Sequence, residues 1–261
     1  MNRPAVSGSG VAFRDRFPFS PQAAVNGSRR FTVAETGTDR PVRRKPAMIR
    51  RIFAIGDIHG CNHELKQLFA RIRPDPLIDT IVFIGDYLDR GPDSRGVIDT
   101  ILDLKKTFPH LICLRGNHES MFLNYYLEGR DEELYFANGG GMTLSSYGLA
   151  LADARAGTGF PEDHLRFLTA LPLYHETAAY LFVHAGLRPG IPLAGQSPED
   201  LLWIRNEFID SDWDFGKTVV FGHTALCEPL LQANKIGIDT GLVYGGCLTC
   251  IELPSRTLSQ V

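Results

Sequence analysis

The chain of 261 residues is 44% hydrophobic and 22% charged, which is typical of a globular protein with one α/β domain or at most two small ones. No apolar run approaches the roughly 20 residues that a membrane-spanning helix needs, so we expect no membrane partner. The formal net charge is −3, yet residues 1–51 contain 11 Lys and Arg against 3 Asp and Glu. The rest of the chain is therefore acidic. This argues against nucleic acid as a partner, because nucleic-acid binding needs Lys and Arg to neutralise phosphates.

The first 47 residues differ in composition from the rest of the chain. Residues 1–47 lack a lasting apolar period and are rich in Arg, Pro, Ser and Gly. Such a composition cannot bury enough apolar surface to fold, so we predict a disordered N-terminal extension and a folded domain over residues 48–261. The extension lacks the continuous apolar stretch of a secretory signal. Two interpretations stay open: an Arg-rich organelle transit peptide, or an upstream misassigned start codon, with the true start at Met48.

Strands and helices alternate in the first half of the domain. Short apolar runs predict buried strands at 51–56, 80–85 and 111–115. Helical spacing of apolar residues predicts a helix after each of the first two strands, and a third helix begins near His118. The apolar positions of the first two helices are Leu65, Leu68, Phe69 and Ile72, then Val97, Ile101, Leu104 and Phe108. This alternation predicts βαβ units and a mainly parallel sheet.

The second half is richer in strands. Residues 173–176 and 180–184 resemble a hairpin, and further short strands are predicted at 219–221, 236–238 and 248–252. We therefore predict an α/β sandwich of two mixed β-sheets flanked by helices. Between the two halves, residues 129–160 are predicted to form an insertion near the functional site.

The cysteines and several histidines carry weaker signals. The five cysteines are odd in number and scattered, which argues against a disulfide framework and for a reducing compartment, so we expect a cytoplasmic protein. Cys247 and Cys250 have the spacing of a redox pair or half a zinc site, but their strand-like neighbours favour core packing. Four histidines lie outside any motif and are expected to be solvated: His63, His110, His164 and His175.

Three loops that follow predicted strands carry metal-ligand residue types. They are Gly56-Asp57-Ile58-His59-Gly60, Gly85-Asp86-Tyr87-Leu88-Asp89-Arg90-Gly91 and Gly116-Asn117-His118-Glu119. Each alone could be a helix cap or a turn, but ligands of open α/β sheets bind at the carboxyl ends of strands, where all three loops lie. Carboxylate and imidazole together suit manganese, iron or zinc, and a carboxylate can bridge two ions roughly 3.5–4 Å apart.

These loops resemble those of the PPP-type Ser/Thr phosphoprotein phosphatases, within the calcineurin-like metallophosphoesterase superfamily. The resemblance continues at Val183-His184-Ala185-Gly186 and Phe221-Gly222-His223-Thr224 and covers residues 51–253. It implies a calcineurin-like sandwich fold and metal-dependent hydrolysis of phosphomonoesters by in-line attack of a metal-activated water. It also implies a phosphoprotein or phosphopeptide substrate and two divalent ions per chain, with manganese expected and iron or zinc as alternatives.

The resemblance also implies residue roles. The implied metal ligands are Asp57 and His59 for the first ion, Asp86 as the bridge, and Asn117, His184 and His223 for the second. The implied phosphate-binding arginines are Arg90, Arg115 and Arg205, whose planar forks suit phosphate oxygens. His118 resembles the general acid that protonates the leaving alkoxide, with Asp89 orienting its imidazole.

Two other functions stay open at the level of sequence. Symmetrical bis(5'-nucleosyl)-tetraphosphate hydrolases share the first loop and the His-Ala-Gly of His184, but they tend to lack a residue equivalent to Asp89. Retention of Asp89 therefore favours the protein phosphatase. A catalytically inactive binding module on the same fold is disfavoured because every implied ligand and the general acid are present. The sequence does not fix the physiological substrate or the oligomeric state.

Removal of the N-terminal extension tests the domain boundary. A chain that begins at Met48 is expected to fold and to keep its turnover, because residues 1–47 have no composition from which to build a core. Circular dichroism and phosphatase assays on the shortened and full-length proteins measure this directly. A large loss of activity on shortening would show that the extension contributes to the site.

Overall fold

The computed structural model describes residues 50–261, and the extension predicted over residues 1–47 lies outside this range. The strands are β1 (Ile52–Ile55), β2 (Thr80–Phe83), β3 (Leu111–Cys113), β4 (Tyr174–Glu176), β5 (Tyr180–Val183), β6 (Thr218–Phe221), β7 (Leu230–Leu231), β8 (Lys235–Gly237), β9 (Asp239–Thr240), β10 (Cys247–Leu253) and β11 (Thr257–Gln260). The helices are α1 (Asn62–Ile72), α2 (Ser94–Thr107), α3 (Asn117–Glu128), α4 (Glu132–Ala137), α5 (Gly140–Tyr147), α6 (Leu151–Arg155), α7 (Glu162–Thr169), α8 (Pro198–Trp203) and α9 (Asn206–Ile209). Short 3-10 turns span Leu193–Gly195 and Leu242–Tyr244.

The strands form two mixed sheets, as the sequence predicted. The first has the order β11-β10-β1-β2-β3, with β9 paired to β10, and the second has the order β4-β5-β6-β8-β7. In the first sheet β1, β2 and β3 are parallel, whereas β10 runs antiparallel to β1 and places Leu253 opposite Ile52. In the second sheet β5, β6 and β8 are parallel and β4 pairs with β5 as the predicted hairpin.

Alternate residues of each strand belong to different cores, because successive side chains of a strand point to opposite faces. Phe53 of β1 belongs to the core that the first sheet shares with α1, α2 and α3, whereas its neighbour Ala54 packs with Val220 of the second sheet. On the far face of the second sheet, Val219 packs against Phe208 of α9. The layers are thus helices, first sheet, second sheet and helices, so the strands are buried on both faces.

The region predicted to be an insertion forms α4, α5 and α6 and packs against the rest of the domain through aromatic rings. The ring of Phe122 in α3 lies 4.7 Å from that of Phe160, and Tyr125 stacks on Tyr135 of α4 at 4.9 Å. At the first turn of α5, Gly140 lies directly under the Tyr135 ring, where an added Cβ would be 2.4 Å from the ring carbons. This contact fixes the start of α5 against α4.

Several local features differ from the sequence-based expectation. His164 is buried rather than solvated, because its ring nitrogens bond Tyr147 and Asp99 on two neighbouring helices. Cys250 packs in the core as predicted, but Cys247 is only half-buried, since residues three apart on a strand face opposite ways.

Among residues 50–261, none of the helices combines the length and the apolar character needed to cross a membrane.

Candidate active site

The loops after β1, β2 and β3 converge at one edge of the first sheet, where they meet the loops after β5 and β6. Five of the loop residues are not glycine yet adopt a left-handed backbone: His59, Asp86, Asp89, Arg90 and His223, with φ between 45° and 69°. Such conformations cost free energy and occur mainly where a functional site requires them. Their concentration in these loops marks this edge as the candidate site.

The carboxylate of Asp86 lies between two groups of ligand atoms. Its Oδ2 is 3.5 Å from Nε2 of His59, and its Oδ1 is 3.4 Å from Nε2 of His184. Asp86 is only 2% exposed. One oxygen therefore faces a ligand from the first sheet and the other faces a ligand from the second.

The second group contains Asn117, His184 and His223. The amide Oδ1 of Asn117 is 2.9 Å from Nε2 of His184 and 2.9 Å from Nδ1 of His223. The backbone N–H of His223 donates to the carboxylate of Asp57, at 3.1 Å from Oδ2. The structure thus brings all six residues predicted as metal ligands into one buried cluster.

Backbone carbonyls fix the histidine tautomers in this cluster. Nδ1–H of His59 donates to the carbonyl of Leu88, and Nδ1–H of His184 donates to that of Ile84, both at 2.9 Å. Burial lowers the pKa of His59 to about 3 and also lowers the pKa of His184, so both rings are neutral. Their Nε2 atoms are consequently acceptors that lie near Asp86, and Nε2 of His59 also accepts from the guanidinium of Arg90 at 2.8 Å. Outer hydrogen bonds of this kind hold metal-binding histidines in one orientation.

The donor set fits divalent metal ions. Nε2 of His184, Oδ1 of Asn117 and Oδ1 of Asp86 are all acceptors, and three converging acceptors repel each other unless a cation lies between them. Burial, together with the neighbouring Asp239 and Asp86 carboxylates, raises the pKa of Asp57 well above its usual range. This surplus of buried negative charge and the mixture of imidazole, carboxylate and amide ligands both match a divalent metal centre.

His118 lies beside this cluster and is held by Asp89. Its Nδ1 is 2.7 Å from Oδ2 of Asp89, while Nε2 is 3.9 Å from Asp86 and has no hydrogen-bond partner among the described residues. Burial disfavours the imidazolium, but the carboxylates of Asp86 and Asp89 outweigh burial and raise the pKa of His118. His118 is therefore placed to carry a proton on Nε2 at the cavity.

Two of the three predicted phosphate-binding arginines line the cavity, and the third does not. Arg90 and Arg205 border a cavity of about 100 Å³ together with His118. Arg115 does not border this cavity, and its role in phosphate binding stays a prediction. Its guanidinium donates to the carbonyl of Thr169 at 2.8 Å, because the C-terminal end of α7 leaves that carbonyl without a helical partner.

Sequence reasoning missed three residues with clear places in the site. Glu119 bonds four backbone N–H groups of the metal-ligand loops. Asp239 ends a predicted strand and lines the cavity, so the rule that found Asp57 and Asp86 would have found it as well. Tyr244 places its ring 5.4 Å from the guanidinium carbon of Arg90, and no motif in the sequence marks it.

Comparisons with known proteins agree with this geometry. The chain is 32% identical over 211 residues to Serine/threonine-protein phosphatase 1 of Salmonella typhimurium. The aligned region covers 78% of this chain and 92% of that protein. The chain is also 28% identical over 232 residues to the asymmetrical Bis(5'-nucleosyl)-tetraphosphatase PrpE of Anoxybacillus flavithermus, with 79% and 92% covered. A solved structure described as a putative diadenosine tetraphosphatase superposes with a TM-score of 0.64 and 26% identity, covering 83% of this chain and 95% of that one.

The family model for calcineurin-like phosphoesterases matches residues 50–238, a range that contains all the predicted site residues. The two mixed sheets flanked by helices also match structures of this family. The buried His and Asp groups that could hold metal ions lie within the same range. The chain belongs to the calcineurin-like phosphoesterase family and is a metal-dependent phosphoester hydrolase.

Proposed function

We propose that the protein is a serine/threonine phosphoprotein phosphatase. The observation that carries this proposal is the buried pair of Asp89 and His118, 2.7 Å apart, with Nε2 of His118 free at the cavity. The alkoxide that leaves from phosphoserine or phosphothreonine is a poor leaving group and needs a proton as the P–O bond breaks. A relative that is 32% identical and is named a serine/threonine-protein phosphatase supports the same substrate class.

The proposed metal centre contains two divalent ions, with manganese as the expected metal and iron or zinc as alternatives. Asp86 would be shared, because its two oxygens face different ligand groups. The full ligand set would be Asp57, His59 and Asp86 for one ion, and Asp86, Asn117, His184 and His223 for the other. When bound, such ions neutralise phosphoryl charge and lower the pKa of the water that attacks phosphorus in line.

The protein's own groups would complete the reaction. Arg90 follows β2 and Arg205 follows α8, and both border the cavity. Their planar guanidinium groups suit the phosphoryl oxygens. His118 would donate the proton on Nε2 to the leaving oxygen as the P–O bond breaks. Asp89 keeps Nδ1–H of His118 engaged, so the ring stays oriented toward the cavity and its protonated form is stabilised.

A dinucleoside tetraphosphatase is the second candidate. Relatives 28% identical are named bis(5'-nucleosyl)-tetraphosphatases, of the asymmetrical kind rather than the symmetrical kind considered from sequence. The ring of Tyr244, 68% exposed and beside Arg90 at the cavity, offers an aromatic surface for a nucleobase. A phosphoanhydride, however, releases a good leaving group, so the Asp89–His118 pair favours the phosphoprotein.

The proposed setting of the enzyme follows from its composition. We infer a cytoplasmic location, supported by the odd number and scattered positions of the cysteines. The substrate would be a phosphoprotein or phosphopeptide, of which only the phosphoryl group would enter the cavity of about 100 Å³.

Replacement of Asp86 by Asn tests the shared ligand. The substitution removes one negative charge and one strong ligand oxygen, so the variant is expected to lose bound metal and nearly all activity together. Elemental analysis of the purified protein gives the metal content per chain. Asp103→Asn, which alters a carboxylate 75% exposed on α2, is the matched control and should keep both. Two metal ions per chain in the Asp86→Asn protein would contradict the assignment.

Replacement of His118 by Asn tests the proton donor. General acid catalysis is typically worth about 10²–10⁴-fold, so kcat on a phosphoserine peptide should fall by that order. The loss on p-nitrophenyl phosphate should be clearly smaller, because nitrophenolate leaves without a proton. The metal content should be unchanged. His110→Asn, at an exposed histidine, is the control. Equal losses on both substrates, with metals still bound, would assign His118 another role.

A substrate panel tests the proposed function itself. Phosphoserine, phosphothreonine and phosphotyrosine peptides are compared with diadenosine tetraphosphate in the presence of manganese. The highest kcat/KM is expected for phosphoserine and phosphothreonine peptides. A clear preference for the dinucleotide would replace the protein phosphatase by the second candidate.

A further inference from the structure

Thr143, in the segment 129–160, forms a hydrogen bond with the carboxylate of Asp89, which in turn bonds His118. Oδ2 of Asp89 bonds Nδ1 of His118 at 2.7 Å, and the hydroxyl of Thr143 donates to the other oxygen, Oδ1, at 2.6 Å. We propose that Thr143 is a positioning residue for the proton-donating histidine, so that α5 takes part in catalysis through Asp89. This inference rests on the proposed role of His118.

The hydroxyl of Thr143 makes two contacts with the same residue. Besides donating to Oδ1, it accepts the backbone N–H of Asp89 at 2.9 Å, and Ser94 shares that N–H at 3.1 Å. The side chains of Thr143, Ser94, Asp89 and His118 are all fully buried. With both of its oxygens bonded, the carboxylate of Asp89 cannot rotate without leaving a buried polar atom unpaired, which carries a large free-energy cost. The imidazole of His118 is consequently held in one orientation.

The Thr143 hydroxyl is directed out of its own helix. A threonine inside a helix commonly bonds the carbonyl four residues earlier. For Thr143 that carbonyl belongs to Gly139, which instead accepts the backbone N–H groups of Met142 at 3.1 Å and Arg90 at 3.3 Å. The Thr143 hydroxyl therefore donates to Asp89 and not to its own helix. At the start of the same helix, the carbonyl of Gly139 accepts the backbone N–H of Arg90.

Further contacts fix α5 relative to the loop of Asp89. The hydroxyl of Tyr135 donates to the carbonyl of Gly140 at 3.1 Å at the start of the helix. Near its end, the hydroxyl of Ser146 accepts the backbone N–H of Arg95 at 2.9 Å. The segment that carries Thr143 is thus bonded to Asp89 itself and to Arg90 and Arg95, which follow it in the same loop and helix. A displacement of α5 would be transmitted to the Asp89–His118 pair.

The inference is tested with Thr143→Val, which keeps the branched shape and deletes the hydroxyl. Thr143→Ser restores the hydroxyl, Thr143→Ala is a smaller deletion should valine be poorly tolerated, and Thr158→Val removes an exposed hydroxyl from the same segment as the control. Activity is measured with alkyl phosphates and p-nitrophenyl phosphate, together with metal content. We expect kcat on the alkyl ester to fall about tenfold or more, as part of the 10²–10⁴-fold that acid catalysis supplies. Thr143→Ser should recover most of it.

A double-mutant cycle separates positioning from stability. In the His118→Asn background, Thr143→Val should cause no further loss, because the group that it positions is gone. Equal losses on both esters, or a full additional loss in the His118→Asn background, would show that Thr143 acts only through the fold and would overturn the proposal. Simple esters serve any phosphomonoesterase, so failure of the phosphopeptide assay would remove the proposed function without deciding this test.

Discussion

The site depends on one buried carboxylate that joins two of its loops. Glu119 is fully buried and accepts backbone N–H groups of Asp86 at 2.9 Å, Tyr87 at 2.8 Å, Leu88 at 3.2 Å and Gly116 at 2.8 Å. These donors come from the loops after β2 and β3, so one side chain joins two loops that the sheet alone does not connect. It also compensates the left-handed backbone of Asp86, whose N–H would otherwise be buried without a partner.

The glycines around this carboxylate allow the loops to touch. A Cβ at Gly116 would lie 2.1 Å from Oδ1 of Asp86, and a Cβ at Gly85 would lie 2.7 Å from the backbone nitrogen of Gly116. Gly85 also has a φ of 110°, which side chains disfavour. Gly85 and Gly116, which have no side chains, and the carboxylate of Glu119, which both loops share as an acceptor, thus allow Asp86 and Asn117 to lie in the same cluster. The motif Gly-Asn-His-Glu is thus a structural unit as well as a set of chemical groups.

Most of the fold and the site was predictable because the signals are local. Apolar runs predicted the main strands, and strand-end carboxylates and histidines in three loops predicted a metal site, since parallel strands end at the same edge. His184 and His223 were added by the family resemblance. The direction of the Arg115 side chain could not be predicted, because it depends on the carbonyl of Thr169 at the end of α7, 54 residues away in sequence. Thr143 could not be found for the same reason: its partner Asp89 is 54 residues distant and no motif surrounds it. The two-residue strands β7 and β9 are too short to show a period.

The strand order of the first sheet has a consequence for how the chain folds. β1 is flanked by β2 on one side and by β10 on the other, and β10 is separated from it by roughly 200 residues of sequence. During synthesis, β1 and its ligand loop are made early, but one edge of β1 stays open until almost all of the domain has emerged. Pairing over such a distance carries a large loop-closure entropy and slows folding. An unpaired strand edge exposed over that interval favours aggregation of the nascent domain.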